Sequence, residues 1–355
     1  YLERVGCVME DDDIIVPSFR PDLEHKADIS EEIARFYGYD KIPVTAIRGT
    51  AQGHLTEQQK FERTVSNTLL SQGLYEIMTY SFISPKYYDK IRLPEDSPLR
   101  KCVTIQNPLG EDTSVMRTTT LPSMLEILAK NYNNRNESAA LFELSPEYIP
   151  TENPLPDENV QVTLGMYGEQ YDFYSLKGVV EALLDVLGIA DYDVSAVSDN
   201  PTFHPGRCAC ISKDGRDIGT IGEIHPLVLQ NYGINTKVYA AKLDASALFD
   251  LRCVSKEYKP LPKYPATARD IAVLCDDALP VLDMKKAIQK AAGPILERVS
   301  LFDVYKGQQV PDGKKSVAWS LSFRAPDRTL TDEEPDGAMK KVLKALDEMG
   351  AVLRS

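Results

Sequence analysis

Val317-Ala318-Trp319-Ser320-Leu321-Ser322-Phe323 alternates large apolar residues with small ones at period two. Successive strand side chains point to opposite faces of a sheet, so this is a strand with one buried face. Upstream, Ile271 to Cys275 reads as a strand. Met284, Ala287, Ile288 and Ala291 keep helical spacing, Val299 to Tyr305 reads as a second strand, and Pro311-Asp312-Gly313 is a turn. Downstream, Thr331-x-x-Glu334 caps a helix carrying Met339, Val342, Leu343 and Leu346. Gly350 ends that helix and Ala351 to Leu353 closes the pattern. The order is βαββαβ, the ferredoxin-like split unit. Trp319 and Phe323 are four apart, so they share a face, expected against the two helices.

Pro260, Pro262 and Pro265 mark a stiff linker ahead of this unit. Before it lie short apolar runs: Ile77 to Ile83, Val103 to Ile105, Val115-Met116, Ala140 to Leu144, Gln161 to Tyr167, Cys208 to Ile211, Ile218 to Ile224 and Val238 to Leu243. Helical stretches interleave at Leu121 to Asn131, Ser175 to Leu187 and Pro226 to Tyr232. Strands and helices do not alternate regularly, which favours a mostly antiparallel sheet flanked by helices, an α+β domain. Thr56-Glu57-Gln58-Gln59 opens its first helix with a capping box. The segment Arg48 to Leu55 reads as a linker.

The chain has 355 residues, 43% hydrophobic and 26% charged. That is the composition of a water-soluble globular protein of two or three domains. No apolar run is long enough to span a bilayer. No signal peptide is visible and the first residue is Tyr1, so a truncation with more protein ahead of it is expected. The six cysteines at 7, 102, 208, 210, 253 and 275 make no CxxC pair and no zinc-spaced cluster. This usage fits a reducing cytosol. Cys208 and Cys210 share one side of an expected strand and are read as buried or half-buried thiols. The net charge is −13, yet residues 262–355 hold 15 basic and 14 acidic side chains out of 40 and 53. Only this last segment is electrostatically open to a polyanion.

The opposite end carries an acidic arc. Arg20-Pro21-Asp22-Leu23-Glu24-His25-Lys26-Ala27-Asp28-Ile29-Ser30-Glu31-Glu32 gathers Asp22, Asp28, Glu31 and Glu32 where a helix begins. Asp28 precedes Glu31 by three and Glu32 by four, so these side chains lie over one helical turn. Like charges so placed repel, and a cation compensates them. Oxygen ligands suit Mg²⁺ or Ca²⁺ rather than zinc. A capping role competes: Asp28-x-x-Glu31 is a capping-box pattern, and acids are favoured in a first turn. The two roles are compatible. Asp11-Asp12-Asp13 is a turn, Ile14-Ile15-Val16 a strand, and Asp28 to Tyr37 the helix, with Ile33, Ala34 and Phe36 on its buried side. Gly38 ends it and Pro43 follows.

Signs of catalysis are few. There is no P-loop and no G-x-G-x-x-G. Gly219-Thr220-Ile221-Gly222 lies inside a strand pattern and marks a bulge or close packing. His204-Pro205-Gly206-Arg207 is a turn with one imidazole and no paired base or nucleophile, so a structural histidine is expected. Arg117 either binds an anion or is a salt-bridged strand-end residue. No residue is assigned a catalytic role.

Together these segments resemble a known family. Arg20-Pro21-Asp22, Asp28, Glu31-Glu32-Ile33-Ala34-Arg35 and Tyr37-Gly38-Tyr39-Asp40-Lys41-Ile42-Pro43 resemble the metal-binding module of the bacterial phenylalanyl-tRNA synthetase β subunit. The middle resembles its synthetase-like core through Asn107-Pro108-Leu109, Val115-Met116-Arg117-Thr118, Leu121-Pro122, Leu141-Phe142-Glu143, Leu176-Lys177-Gly178, Phe203-His204-Pro205-Gly206-Arg207 and Gly222-Glu223-Ile224-His225-Pro226. The end resembles its ferredoxin-fold anticodon-binding domain through Tyr264-Pro265-Ala266, Arg269-Asp270-Ile271-Ala272 and Asp327-Arg328-Thr329-Leu330-Thr331.

The resemblance implies three domains: a partial metal-binding module (1–47), a catalytically inactive class II synthetase-like core (48–256) and the anticodon-binding domain (262–355). It implies a cytoplasmic phenylalanine–tRNA ligase of (αβ)2 composition. Its α subunit activates phenylalanine with ATP and transfers it to tRNA(Phe), while this chain scaffolds that subunit and binds tRNA near the anticodon. No Gly-x-Gly-x-x-Arg segment of a class II active site is present. A Mg²⁺ near the subunit contact is implied at Asp22, Asp28, Glu31 and Glu32. The family's amino-terminal tRNA-binding domain and editing domain are expected ahead of Tyr1. With Trp319 and Phe323 turned inward, RNA contact is expected from the sheet's other face and from loops. Its expected contributors are Arg269, Lys314, Lys315, Arg324 and Arg328. Arg324, out of phase with Phe323, is expected to project from the open face. Its guanidinium is suited to stacking on a loop base, and lysines to phosphates. The rival is a free-standing metal-dependent phosphodiesterase using the acidic cluster, for which His25 is the only nearby histidine. DNA binding by the first module is disfavoured by its acidity.

Overall fold

Strands β1 (Val8–Glu10) and β2 (Asp13–Ile15) form a hairpin around Asp11, in a computed structural model describing residues 1–45, 49, 53–253, 255, 258 and 260–354. Asp11 takes the left-handed backbone, φ 52°, which a short polar side chain tolerates. Helix α1 (Lys26–Tyr37) follows. These elements belong to one compact unit, Tyr1–Thr56, and the rest of the chain to a second, Glu57–Ser355. Half of the expected linker from Arg48 to Leu55, residues 48 and 50–52, lies outside the described residues. One expectation is corrected here. Ile33 is 40% exposed and Ala34 and Phe36 are only half-buried, while the buried residue of α1 is Glu32. Leu23 and Cys7 are the unit's buried apolar side chains among the described residues, and Val8, Met9, Ile15 and Phe19 stay exposed. So small a unit has little surface to bury them against.

The second unit opens with α2 (Glu57–Ser71), β3 (Tyr75–Glu76), β4 (Phe82–Ile83), α3 (Lys86–Lys90) and β5 (Val115–Met116). Then come α4 (Leu121–Asn133), β6 (Ala139–Ile149), β7 (Asp157–Tyr167), α5 (Phe173–Val186), β8 (Asp193–Ala196), β9 (Phe203–Lys213) and β10 (Arg216–Ile224). Helix α6 (Pro226–Asn231), β11 (Val238–Asp244) and α7 (Ala245–Leu251) complete this part. Seven strands form one sheet in the order β3-β6-β7-β11-β10-β9-β8, antiparallel throughout except for β3 beside β6. Strands β4 and β5 pair separately.

Period two divides this sheet into unlike faces. Phe142, Val162, Leu164, Ala241 and Leu243 join Phe61, Leu69, Leu176, Leu183 and Leu248 from α2, α5 and α7 in one core. On the other face Leu141, Tyr167, Val238 and Ala240 pack with Met124, Leu125 and Leu128 of α4. Farther along that same face the alternate residues turn polar: Glu143, Ser145 and Glu147 on β6, Gln161 and Thr163 on β7, and Lys242 on β11. Close packing at Gly219 and Gly222 is borne out. A Cβ on Gly219 would lie 2.2 Å from the Lys242 carbonyl, and one on Gly222 would lie 2.7 Å from the Arg207 carbonyl. The β9–β10 register also slips beside each glycine.

The last part is β12 (Thr267–Asp276), α8 (Val281–Ala292), β13 (Leu296–Tyr305), β14 (Lys314–Phe323), α9 (Glu333–Glu348) and β15 (Val352–Leu353). The βαββαβ order holds, and the sheet runs β13-β14-β12-β15, all antiparallel. Trp319 and Phe323 are buried with Met284 and Ile288 of α8 and Val342 and Leu346 of α9. The architecture is α+β, with a ferredoxin-like βαββαβ unit following a mostly antiparallel seven-stranded sheet.

Candidate functional site

Three groups of side chains bear on function. In the first unit, helix α1 begins two residues before Asp28, which therefore sits at the third helical position rather than at the cap. Its carboxylate accepts from the backbone N–H groups of Glu24 at 2.9 Å and His25 at 2.7 Å. Asp28 thus acts as the reciprocal partner of a capping box whose cap residue is His25. Glu31 is exposed. Asp22 and Glu32 are joined through Arg20, whose Nη2 lies 2.7 Å from Asp22 Oδ2 and 2.9 Å from Glu32 Oε1. Arg35 also pairs with Glu32. Arg20 is the largest influence on both carboxyls and holds them below their ordinary range. Among the described residues no three His, Cys, Asp or Glu side chains gather closely enough to hold a metal ion. As they stand, then, the four acids do not fit a cation: two serve a guanidinium and one serves backbone.

The second group is the polar end of the large sheet. Arg117, 1% exposed, donates from Nε to the Pro146 carbonyl at 3.0 Å and from Nη1 to Thr79 Oγ1 at 2.7 Å. Its Nη1 lies 3.5 Å from Glu143 Oε1. That carboxylate also accepts from the Thr79 N–H at 2.9 Å. The salt-bridged alternative for Arg117 describes the structure. Beside it, Glu147 accepts from the Thr120 N–H at 2.8 Å and from Lys242 Nζ. Thr120 and Thr163 hydroxyls meet at 2.6 Å, and Ser145 Oγ is buried with no partner in the structure. Unpaired charge would be costly here, and each carboxylate has a cation. The two histidines of the motifs do local work: His204 Nδ1 accepts from the Gly206 N–H and His225 Nδ1 from the Leu227 N–H, each at 3.1 Å. Sequence reasoning missed Glu147, Lys242 and Thr163. The visible signal was the period-two spacing of Glu143, Ser145 and Glu147, but the partners of the two carboxylates, Thr79, Arg117, Thr120 and Lys242, lie far from them in the sequence.

The third group is the expected RNA face. Arg269 lies 3.1 Å from Asp336 in the first turn of α9. Arg328 makes a fork of two 2.7 Å bonds to Glu334 in the same turn. Arg324 pairs with Glu297 at 2.8 Å and donates to the Tyr264 carbonyl. The structure therefore brings Arg269 and Arg328 together at one helix start and holds Arg324 against β13. Lys314 is exposed at the start of β14. Lys315 is a correction: it is 7% exposed, with Nζ donating to the Asp277 carbonyl at 2.8 Å. It follows Lys314 on β14 and so points to the other face, under the loop at Asp277.

Against known proteins the chain matches three families in series. Residues 1–39 match the tRNA synthetase B5 domain, 42–245 the phenylalanyl tRNA synthetase beta chain CLM domain, and 262–354 the ferredoxin-fold anticodon binding domain. It is 45% identical over 362 residues to the phenylalanine–tRNA ligase beta subunit of Clostridium acetobutylicum, covering 100% of this chain and 46% of that protein. The corresponding subunit of Clostridium tetani is 47% identical over 362 residues with the same coverage. The chain thus spans about half the length of these relatives. The pyrrolysyl-tRNA synthetase structure from Desulfitobacterium hafniense superposes with a TM-score of 0.47 at 14% identity, over 62% of this chain and 75% of that one. The match over 42–245 covers more than half of the 355 residues, and with it the chain belongs to the phenylalanyl-tRNA synthetase β chain family.

Proposed function

We propose that this chain works as part of the β subunit of a phenylalanine–tRNA ligase, scaffolding a catalytic α subunit and holding tRNA(Phe) near its anticodon. One observation carries this: the B5, CLM and anticodon-binding family matches follow one another along the whole chain. The assembly is an (αβ)2 heterotetramer in the cytoplasm, and no helix among the described residues is long and apolar enough to cross a membrane. ATP and phenylalanine react on the α subunit. The proposed working divisions are 1–47, 48–256 and 262–355. The relatives' names give no support to a phosphodiesterase.

The proposed Mg²⁺ ligands remain Asp22, Asp28, Glu31 and Glu32, as this chain's share of a site completed by the partner. For RNA, Arg269, Lys314, Arg324 and Arg328 are proposed as contacts; Lys315 joins them only by leaving the Asp277 carbonyl. Charge supports a nucleic-acid role for this part, since residues 262–355 escape the acid excess of the rest.

Co-expression with an α subunit of the same family, followed by purification and a charging assay with tRNA(Phe), tests the proposal. The two chains are expected to co-purify. tRNA affinity is expected to fall with added salt and in Arg324→Ala and Arg328→Ala. Failure of the chains to associate overturns the scaffold role. Unchanged tRNA affinity in both variants overturns the residue assignment alone.

A further inference from the structure

A cleft of about 780 Å³ lies within the second unit, with α5 and β8 on one side and α8 and β13 on the other. That volume suits a small organic ligand. Strands β8 and β13 are each the last strand of their sheet, so no further strand fills the space. Helix α8 lends Val281, Leu282, Lys285 and Gln289, whose spacing puts them on one face. Val299, Leu301 and Val304 of β13 add an apolar wall, and Trp319 of β14 stands opposite Leu301 in register and lines the same cleft.

Most of the cleft's polar groups are spent on one another. Lys177 pairs with Glu181, Lys286 with Asp193 and Lys306 with Asp277. Lys315 donates to the Asp277 carbonyl at 2.8 Å. Two groups are not spent. Lys285 pairs with no acid among the described residues. Trp319 is 1% exposed, and its Nε1 is buried with no acceptor. Helix α8 also starts after Pro280 without a side-chain cap, which leaves its positive end open. An ammonium and an indole N–H can only donate, and a buried donor without an acceptor is costly. What these groups lack is a negatively charged acceptor. Its charge is bounded too. With the three pairs cancelled, Lys285 and Lys315 stand against Asp191, an excess of one positive charge. A polyphosphate would meet four carboxylates here. We propose that the cleft binds a small monocarboxylate with an apolar chain. Its carboxylate is taken by Lys285 and by the Trp319 indole N–H, the ring turning toward the cleft to reach it. Its chain lies along Val281, Val299, Leu301 and Val304. This site depends on neither the α subunit nor tRNA.

The chain of 355 residues has one tryptophan, so its NMR spectrum holds a single indole N–H resonance. The test follows that resonance as octanoate, kept below its micelle-forming concentration, is titrated into the whole chain. A saturable downfield shift is expected. Octylamine, with the same chain length and the opposite charge, is expected to leave the resonance in place. Hexanoate, shorter by two methylenes, is expected to bind about fivefold more weakly. Lys285→Gln is expected to weaken octanoate by about tenfold, the scale of one charged hydrogen bond. Lys344→Gln, which removes an exposed charge of α9 outside the cleft, is expected to leave the affinity unchanged. Circular dichroism checks that both variants fold, and should Lys285→Gln fail to fold, the unsubstituted chain with octanoate and octylamine still decides. The absence of a saturable shift with octanoate, an equal shift with octylamine, or an unchanged affinity in folded Lys285→Gln overturns the site.

Discussion

Lys242 on β11 and Glu147 on β6 form an ion pair that arches over the strand between them. Nζ lies 2.9 and 2.8 Å from the two carboxylate oxygens. Glu147 is 5% exposed and Lys242 23%, so the pair is mostly out of water. Removing one partner leaves a buried charge without compensation. Lys242→Met is expected to destabilise the fold by about 3 kcal/mol, and adding Glu147→Gln is expected to recover part of that. Urea unfolding of the two variants measures both.

Arg117 gives a second expectation. Its guanidinium is spent on Pro146, Thr79 and Glu143, with 1% of its surface exposed. Calorimetric titration with Mg²⁺–ATP is therefore expected to give no binding to this chain. Arg117→Ala is expected to lower stability by about 3–5 kcal/mol, because Glu143 is left buried and unpaired. A measurable ATP affinity that disappears in Arg117→Ala would falsify the inactive-core reading.

The Arg328–Glu334 fork predicts a pH dependence. The Arg328 hydrogen bonds, and then the Thr331 N–H, bring the Glu334 carboxyl down from an ordinary 4.5 to about 2. A depressed carboxyl binds protons more readily in the unfolded chain than in the folded one. Its contribution to stability is present above about pH 4.5 and is lost as pH falls toward 2. Carboxyl NMR titration is expected to show Glu334 titrating near 2, and nearer its ordinary value in Arg328→Ala. Titration at the ordinary value in the unsubstituted chain would mean that the fork does not persist in solution.

The cysteines should react in a fixed order. Burial pushes the Cys208 and Cys210 thiols up to about 11, so only about a thousandth of either is thiolate at pH 8. Cys253 is exposed. A disulfide reagent at pH 8 is expected to modify Cys253 first, and Cys253→Ser is expected to remove the fast phase. Fast labelling of Cys208 would place its strand outside the sheet.

The ferredoxin-like part was legible because its signals are local. Val317 to Phe323 alternates cleanly, its helices have plain apolar faces, and the apolar faces of both helices meet in one core. The run Ile77 to Ile83 misled for the opposite reason. It reads as one apolar run, but β3 ends at Glu76, only Phe82–Ile83 of it is strand, as β4, and Met78 and Tyr80 are 95% and 79% exposed. What holds Thr79 there is Glu143, 64 residues away, which no short window contains. Helix α7 was missed because it is 7 residues long, too short for periodicity to emerge, and rests on a side-chain cap from Asp244. In the first unit the spacing of Asp28, Glu31 and Glu32 was read correctly as a shared turn. That Arg20 would reach across 12 residues to Glu32 depends on the path of the intervening chain, which spacing does not specify.

Gly219 and Gly222 have a consequence for how this family can vary. Any side chain at either position meets a neighbouring strand's carbonyl, at 2.2 Å for Gly219 and 2.7 Å for Gly222. Backbone cannot yield there without parting β10 from β11 or β9, so no compensating change elsewhere restores the fit. In a library sampling every amino acid along the chain, these two columns should stay blank while exposed β10 positions such as Arg216 and Asp217 fill freely. Drift can rewrite the surface of this sheet, but not the two places where its strands touch bare backbone.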